Sequence, residues 1–389
     1  MQVRKTFKFK LYRTKKNRYL ARALGLAAEI WNHCIALHRR YYRLTGRYLS
    51  AHDLKVHLTR LKKRPRYAHW SLLGSQAIQD VVERIDRAYR LFFKLRKAGR
   101  RASPPGFKKR HKYRSFTLKQ AGWQLLGGNR IRIGQHIYKF AKSREIIGTI
   151  KTVTIKRDAV GDWWLFFSVE QEVVLPKGVT TGQMAGFDFG LKQFLTPSEE
   201  DPIDSPLFFK QGQKQIAKLN RELARKRPGS THREQARRRL AAAHRTIADQ
   251  RRAWFFELAH DLTDQYDYLF FETLNLKGMQ KLWGRKVSDL AFGEFLDILR
   301  HVAQGKGKVV HQIDRFFPST KRCGQCKTDN PYLTLADRYW RCPVCGTPHD
   351  RERNAAQNIF REGASSLGLG GVRPSHDGSL CLSPESTGF

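Results

Sequence analysis

The spacing of hydrophobic residues changes several times along the first half of the chain, and each change indicates a different kind of element. Residues 3–11 alternate apolar and cationic side chains, as a half-buried strand does. Residues 17–42 and 71–95 carry apolar positions at helical spacing, with Ser71 as a candidate N-cap. Short alternating runs return between 114 and 174. The pattern predicts a small antiparallel β-barrel with helices inserted after its first strand.

The second half predicts an α/β arrangement built on two short strands. In the run 184–195, Asp188 lies on the strand face opposite Phe187 and Phe189, with a glycine two residues away on each side. Glycine inside a strand often marks close approach to the backbone, and here we expect a bare face suited to a metal ion. The apolar run 268–271 fits a buried parallel strand with Glu272 at its carboxyl end, where sites form in open α/β sheets.

The remaining elements of the second half follow from the same patterns. We expect a linker at 176–183, a hairpin strand ending at 207–209, basic helices at 214–225 and 232–264, a helix at 288–304 and a strand at 309–313. The basic helices fit either a self-paired hairpin or a cationic ridge that follows a duplex. The Gly-, Ser- and Pro-rich residues 366–389 predict a disordered tail, with Cys381 as a free thiol without a role.

Charge narrows the class of partner. The chain of 389 residues has 74 Lys and Arg against 34 Asp and Glu, a formal net charge of +40. Such a chain repels itself unless a polyanion covers it, and nucleic acid is the obvious polyanion. In the first half, basic residues alternate with Trp123, Tyr138, Trp163 and Trp164, which favours phosphate contacts with base stacking over an ordinary barrel core. An apolar run of about 18 residues is missing, so we expect no membrane span and a cytoplasmic or nucleoid location.

Two CxxC pairs predict a structural zinc site. Cys323 and Cys326 are separated from Cys342 and Cys345 by fifteen residues. Two such knuckles present four thiolates to one Zn²⁺ in a closed tetrahedron, which leaves no open position for catalysis. A redox role for either pair is the alternative, but neither pair precedes a βαβ pattern. We therefore expect a zinc ribbon.

A helix starts directly after the second cysteine pair. Asp350 fits its N-cap, a catalytic ligand, or both at once. Asn354 and Asn358 lie one and two turns on along the same face, where they could orient a ligand or touch a phosphate. Asp188, Glu272 and Asp350 thus come from three separate elements, as an RNase H-like nuclease requires to hold two Mg²⁺ ions about 4 Å apart.

The sequence resembles the TnpB family, the transposon-encoded relatives of type V CRISPR nucleases. The segments that carry the resemblance are 186–191, 271–279, the paired cysteines and 350–359. The resemblance covers most of residues 1–363. Lys327 is a departure, because glycine commonly follows the first cysteine pair in the family; the difference touches only the turn.

The resemblance implies a split RuvC nuclease domain (181–317 and 349–365) with an inserted zinc ribbon (318–348). A basic, oligonucleotide-binding barrel of the wedge type (1–13 and 107–180) would precede it, with a helical recognition insertion (14–106). Asp188, Glu272 and Asp350 would be the catalytic acids. The implied activity is RNA-guided cleavage of double-stranded DNA, with a guide RNA from the transposon end and a short adjacent DNA motif.

Two other functions remain open from the sequence. One is an RNA-guided DNA binder or regulator that does not cut, although such proteins would be expected to lose one of the three acids. The other is a strand transferase or other transposition factor, which an RNase H-like triad alone does not exclude. We expect a monomeric ribonucleoprotein that uses two Mg²⁺ ions and one Zn²⁺ ion and has no membrane partner.

Overall fold

The computed structural model describes residues 2–172, 180–334 and 336–369, except for the side chains of 283, 285 and 286. It also describes the backbone of 373–374 and 380–381. The chain divides into two compact units, Met1–Val173 and Val174–Phe389. Half of the predicted linker at 176–183 and most of the predicted disordered tail lie outside the described residues, as does the thiol of Cys381.

Two antiparallel sheets form the first unit. Their strands are β1 (Gln2–Lys10), β2 (Ser115–Leu118), β3 (Trp123–Leu125), β4 (Arg130–Ile133), β5 (His136–Lys139), β6 (Thr149–Arg157) and β7 (Trp163–Glu172). One sheet has the order β1-β7-β6-β2 and the other β3-β4-β5. A bridge between Leu11 and Phe140 joins the two sheets. The rings of Phe9, Phe140 and Phe167 meet inside this corner, where all three are buried.

Helices fill the chain between β1 and β2. They are α1 (Asn17–Thr45), α2 (Ala51–Leu61), α3 (Ser75–Lys97) and two 3₁₀ segments, Pro65–Leu73 and Arg110–Lys112. The predicted first helix is confirmed, and it ends at Gly46, whose φ of 66° closes the last turn. The prediction that Ser71 caps the next helix is wrong, because Gly74 at φ 82° separates Ser71 from α3. The predictions missed α2, although Ser50 caps it through the N–H of Asp53.

The aromatic residues predicted to stack on bases pack mainly within the first unit. Trp163 and Tyr138 are only 5% and 2% exposed. The base-stacking role predicted for these two residues is therefore wrong. The ring of Trp164 is covered by the ammonium of Lys8, 4.1 Å from its centre, and Trp123 donates its indole N–H to the Lys119 carbonyl. The ordinary-core alternative describes this part of the chain better.

The second unit is built on a mixed four-stranded sheet. Its strands are β8 (Met184–Phe189), β9 (Leu195–Pro197), β10 (Tyr268–Phe271) and β11 (Val309–Gln312), in the order β11-β10-β8-β9. β10 runs parallel to both β8 and β11, which confirms the predicted parallel strand before Glu272. The hairpin strand is β9, so the predicted strand ending at 207–209 is wrong. Leu207 instead adopts a φ of 49° and starts a helix.

Helices and a small ribbon complete the second unit. They are α4 (Phe208–Ala224), α5 (Thr231–Gln265), α6 (Leu276–Leu290), α7 (Phe292–Lys306), β12 (Tyr339–Arg341), β13 (Pro348–Asp350) and α8 (Arg351–Ser366), with a short pair Arg373–Pro374 and Leu380–Cys381. The two basic helices α4 and α5 pack on each other, with Gly212 against the Ile247 side chain. The self-paired alternative is thus the observed one. Ala291, with a φ of 47°, separates α7 from α6. The predictions missed α6.

Two glycines let α8 lie directly on the sheet. A Cβ added to Gly186 in β8 would lie 2.2 Å from the Ala356 carbonyl oxygen and 2.5 Å from the Phe360 nitrogen. Across the same contact, a Cβ on Gly363 would lie 2.1 Å from the Phe270 ring. The strand face that the sequence suggested was bare is therefore filled at Gly186 by the backbone of α8. This contact fixes where the first turn of α8 stands relative to the strand ends.

Gly186→Ala is expected to destabilise the protein by about 3 kcal/mol, because the rigid helix backbone cannot yield to the new methyl group. Gly305→Ala is the matched control: it lies in α7, and a Cβ there meets nothing within 4 Å. We expect the control to be neutral or slightly stabilising, since alanine favours helix. Denaturant unfolding measures both. Equal stabilities for the two variants would contradict this account of the contact.

No helix among residues 2–172, 180–334 and 336–369 combines the length and apolarity needed to cross a membrane.

Candidate active site

The parallel register of the sheet brings Asp188 and Glu272 together. Phe187 in β8 is paired with Phe271 in β10, and the next residue on each strand is the acid. Carboxyl ends of parallel strands meet at the same edge, so both side chains leave the sheet at one place. The two carboxyls are hydrogen-bonded to each other, and Glu272 also accepts from the backbone N–H of Phe189.

Both carboxyls of the pair resist ionisation. Burial raises the pKa of Asp188 well above its ordinary value, and the charges of Glu272 and Glu352 raise it further. Burial likewise raises the pKa of Glu272, to about 7. Both residues keep part of their surface exposed to solvent. Two adjacent carboxyls that resist ionisation, yet remain accessible, have the properties of a divalent-cation site.

At the start of α8, the structure gives the predicted acid and its neighbour different surroundings. Asp350 is the N-cap: its Oδ1 accepts the N–H groups of Glu352 and Arg353, both at 3.0 Å. Glu352 is 8% exposed, and its Oε2 is buried without a hydrogen-bond partner among the described residues. Of these two acids, Glu352 is the one whose charge acts on Asp188.

Sequence reasoning missed Glu352 because it took the first acid of Asp350-Arg351-Glu352 as the ligand. The available signal was the capping pattern itself. An N-cap side chain turns back onto its own helix, whereas an acid two residues later is free to face a neighbouring strand. The register of α8 on Gly186 then directs that second acid towards Asp188.

Two arginines balance the acids. Arg338 lies 3.7 Å from the Asp350 carboxylate and 3.8 Å from that of Glu352, and it donates to the side-chain oxygen of Gln193 at 3.2 Å. Arg351 lies 3.7 Å from the other oxygen of Glu352. The ion-pair distances to Glu352 are too long for hydrogen bonds. The guanidinium groups thus lower the repulsion among the carboxylates without occupying their oxygens.

The donor set fits divalent cations. Asp188, Glu272 and Glu352 offer oxygen ligands, which Mg²⁺ prefers. The unpaired, buried oxygen of Glu352 is costly to leave without a partner, and a bound cation would supply one. The raised pKa values of Asp188 and Glu272 indicate that this place favours an added positive charge.

The four predicted cysteines form one cluster. Their sulfur atoms all lie within 4.8 Å of one another, with Cys323 3.7 Å from Cys345 and Cys326 3.5 Å from Cys342. Tetrahedral Zn²⁺ with Zn–S bonds of about 2.3 Å requires sulfur atoms about 3.8 Å apart. These two distances are close to those of a zinc tetrahedron, and the four sulfur atoms lie near enough together to hold one ion. The ring nitrogen Nε2 of His349 lies 3.1 Å from the Cys323 sulfur, in position to donate to the thiolate.

The two CxxC turns have the same backbone hydrogen bonds. The backbone carbonyl of Cys323 accepts the N–H of Lys327 at 3.0 Å, and the backbone carbonyl of Cys342 accepts the N–H of Gly346 at 2.9 Å. Lys327 and Gly346 have nearly equal φ angles of 66° and 70°. Lysine thus adopts at this turn the left-handed conformation that glycine adopts more easily, which explains why glycine is the usual residue here. The turn tolerates lysine, whose ammonium donates to the Gly324 carbonyl at 2.6 Å.

Asn354 and Asn358 connect α8 to the first cysteine turn. The Asn354 side chain donates to the Arg322 carbonyl and accepts from the Gly324 N–H, both at 2.8 Å. Asn358 donates to the carbonyls of Ser319 at 2.9 Å and of Arg322 at 2.7 Å. Both asparagines are 2% exposed. Their amides are used within the protein, so the interpretation that they touch a phosphate is wrong.

The raised pKa values predict how the stability of the metal-free protein depends on pH. A carboxyl whose pKa rises on folding stabilises the fold below its unfolded pKa, and that stability is lost as the pH rises through the folded value, about 7 for Glu272. We expect Mg²⁺ to raise the melting temperature more at pH 8 than at pH 6, by about 2 °C or more. Asp188→Asn should remove most of this difference and, in EDTA at pH 8, should stabilise the fold. Scanning calorimetry tests both; equal Mg²⁺ effects at the two pH values would contradict the raised pKa values of the two carboxyls.

Two family models match this chain in sequence. The family described as "Probable transposase" matches residues 166–282, which include Asp188 and Glu272. The family described as "Cas12f1-like, TNB domain" matches residues 292–359, which include the cysteine cluster and Glu352. The two matches thus follow each other from the last strand of the first unit into the second unit, and together they include Asp188, Glu272, Glu352 and the four cysteines.

Full-length relatives and a solved structure extend the likeness. A Streptomyces pristinaespiralis protein named "Putative RNA-guided DNA endonuclease" is 29% identical over 97% of this chain and 94% of its own length. The Escherichia coli K12 protein named "Putative RNA-guided DNA endonuclease InsQ" is 24% identical over 90% of each chain. The protein in the cryo-EM structure of the Cas12f1-sgRNA-target DNA complex has the same fold, with a TM-score of 0.56 at 13% identity over 92% of this chain and 99% of that one.

Proposed function

The chain belongs to the TnpB family, and from that membership we propose that it is an RNA-guided endonuclease that cleaves double-stranded DNA. The observation that carries the proposal is the contact between the carboxyls of Asp188 and Glu272, with the charge of Glu352 acting on Asp188. Acids from β8, the end of β10 and the start of α8 would supply the carboxylates that two-metal phosphodiester hydrolysis requires.

We assign Asp188 and Glu272 as metal ligands and catalytic residues. Asp350 was the third acid expected from the sequence; as the N-cap, it holds the first turn of α8, and we propose Glu352 as the third ligand in its place. Two Mg²⁺ ions, when bound, would activate the attacking water and stabilise the departing 3′ oxygen. The protein fixes the three carboxylates on a rigid sheet edge and helix, and Arg338 and Arg351 limit their mutual repulsion.

The remaining assignments follow from the family. We propose that the sheet and α8 form the RuvC domain and that the cysteine module is a zinc ribbon with one structural Zn²⁺. The first unit would be the basic, wedge-type barrel with its helical recognition insertion. A guide RNA from the transposon end and the target duplex would cover the net charge of +40. We propose a monomeric ribonucleoprotein.

The test is cleavage by the protein purified together with the RNA that it retains. Sequencing that RNA defines the guide, and a plasmid with the complementary target next to randomised bases defines the DNA motif. We expect broken duplexes with Mg²⁺, no cutting in EDTA, and no cutting by Asp188→Ala, which should still retain the RNA.

Each other outcome favours one of the alternatives. Binding of the target without cutting by the wild-type protein would favour an RNA-guided regulator. Joined strand ends would favour a transposition factor. Cutting by Asp188→Ala at the wild-type rate would show that the site lies elsewhere.

A further inference from the structure

Phe316 is the most exposed large hydrophobic residue among the described parts of the chain. Its side chain is 87% exposed, and Tyr332 follows at 85%. The cost of leaving a phenyl ring in water is about 2 kcal/mol relative to burial. Single exposed apolar residues are common, so exposure alone carries no conclusion. Two further features distinguish Phe316: its loop is held by hydrogen bonds and packing, and the loop starts at the sheet edge that carries the acids.

The loop holding Phe316 is fixed on both sides. The Phe316 N–H donates to the Asp314 carboxylate at 2.8 Å. The next residue, Phe317, packs against the core below α8, and the Arg322 guanidinium covers its ring at 4.9 Å. Ser319 is buried, and its carbonyl accepts from Asn358 of α8. These contacts hold the backbone around Phe316 and keep its ring exposed. Because this exposure costs free energy, we expect the ring to have a binding partner.

The same loop begins at the edge of the sheet that carries the acids. Phe271 in β10 is paired with Phe187 and with Gln312, so the next residues on the three strands are Glu272, Asp188 and Ile313. The Thr273 hydroxyl donates to the Ile313 carbonyl at 2.7 Å, which ties the end of β11 to the loop after Glu272. Neighbouring strands are about 4.8 Å apart, so Ile313 lies about 10 Å from the Asp188 backbone. Phe316 follows three residues later, within about 10 Å of chain.

We propose that Phe316 is a base-stacking platform for single-stranded DNA and that it positions the strand being cut over the carboxylates. The proposal rests on the proposed nuclease function. Every base has a flat apolar face that stacks on an exposed ring, whereas bases inside a duplex are already stacked. Arg315, the residue before Phe316, is also exposed, and its charge suits the phosphates of the same strand. Phe316 therefore selects unpaired DNA and acts as a positioning residue, with no chemical step of its own.

Binding and cross-linking test the proposal without cutting. The full-length Asp188→Ala protein, with its copurified RNA, is titrated with a thymidine oligonucleotide that contains 5-iododeoxyuridine. We expect light-induced cross-links to map to Phe316 by mass spectrometry. Phe316→Ala should weaken oligonucleotide binding by about 5- to 100-fold, the loss of one stacked base. Phe316→Trp should restore binding, since it keeps the ring.

Salt dependence separates stacking from charge. Phe316→Ala should leave the slope of log affinity against log salt unchanged, while Arg315→Gln should lower it by about 0.7, the loss of one phosphate contact on a single strand. Val344→Ala is the control for exposed apolar surface, because Val344 is 67% exposed but has no ring; we expect no change in affinity. A duplex of the same length should bind equally to wild type and Phe316→Ala.

The outcomes separate this inference from the nuclease proposal. Cross-links elsewhere, or full affinity in Phe316→Ala, would overturn the stacking role even if the wild-type protein cuts DNA. Rescue by Phe316→Leu as complete as by tryptophan would also overturn it, since leucine supplies apolar area without a π face. Stacking at Phe316 in a wild-type protein that does not cut would support the stacking role, overturn the positioning of a strand for cleavage and refute the nuclease.

Discussion

Glu352→Gln is expected to reduce Mg²⁺-dependent DNA cleavage by about a thousandfold, equivalent to about 4 kcal/mol of transition-state stabilisation. Glutamine keeps the size of the side chain and removes the charge that a metal ion requires. The rate is measured under single turnover with saturating Mg²⁺, so that binding of the target does not limit it. Isothermal titration with Mg²⁺ should show weakened binding in the same variant.

Asp350→Asn is the matched control for the assignment of the third acid. Asparagine caps helices about as well as aspartate, so we expect stability within about 0.5 kcal/mol of wild type. Cleavage should remain within about tenfold, because the Asp350 carboxylate is used by α8 and Arg338. The reverse result, with Asp350→Asn inactive and Glu352→Gln active, would restore the acid first expected from the sequence.

Removal of zinc is expected to unfold the cysteine module and, with it, the first turns of α8. Zinc bound to four thiolates contributes about 10 kcal/mol or more to the folding of small modules. Among the described residues of the module, the hydrophobic core besides the cysteines consists of Leu333 and Trp340. Hydrogen exchange after chelation should therefore rise in residues 319–346 and also at Asn354 and Asn358, which bond to the first cysteine turn.

Cys342→Ser should reproduce the effect of chelation, with loss of bound zinc measured by atomic emission. Cys34→Ala is the control, because Cys34 is a buried thiol of α1 in the first unit. It should keep one zinc ion per chain. If chelation leaves exchange at Asn354 and Asn358 unchanged, the coupling between the cysteine module and α8 is contradicted.

Much of the second unit could be read from local pattern. The alternation around Asp188 and the apolar run before Glu272 gave two strands, and their parallel pairing put the acids at one edge. The CxxC spacing gave the cysteine cluster. These features depend on periodicity or on fixed ligand spacing, which few other structures satisfy.

The predictions that failed depend on contacts distant in sequence. The apolar pair Phe208-Phe209 looks like the end of a strand, but the Asp289 carboxylate accepts the N–H groups of Phe209 and Lys210 in the first turn of α4. The glycine at position 186 predicts space for a ligand, but the backbone of α8 occupies that space. The choice between Asp350 and Glu352 turns on one helix register. In each case the local sequence fits two structures equally well, and a tertiary contact decides between them.

Helix α8 has almost no position that can vary without consequence. Within sixteen residues it carries Glu352 beside the acids, Asn354 and Asn358 on the cysteine turn, and Gly363 against the sheet. Natural variation among proteins that share this arrangement should therefore be sparse along α8 and collect at solvent-facing positions such as Ser365. A segment so constrained would change more slowly during evolution than the strands it rests on, and would remain recognisable in descendants whose other parts have diverged.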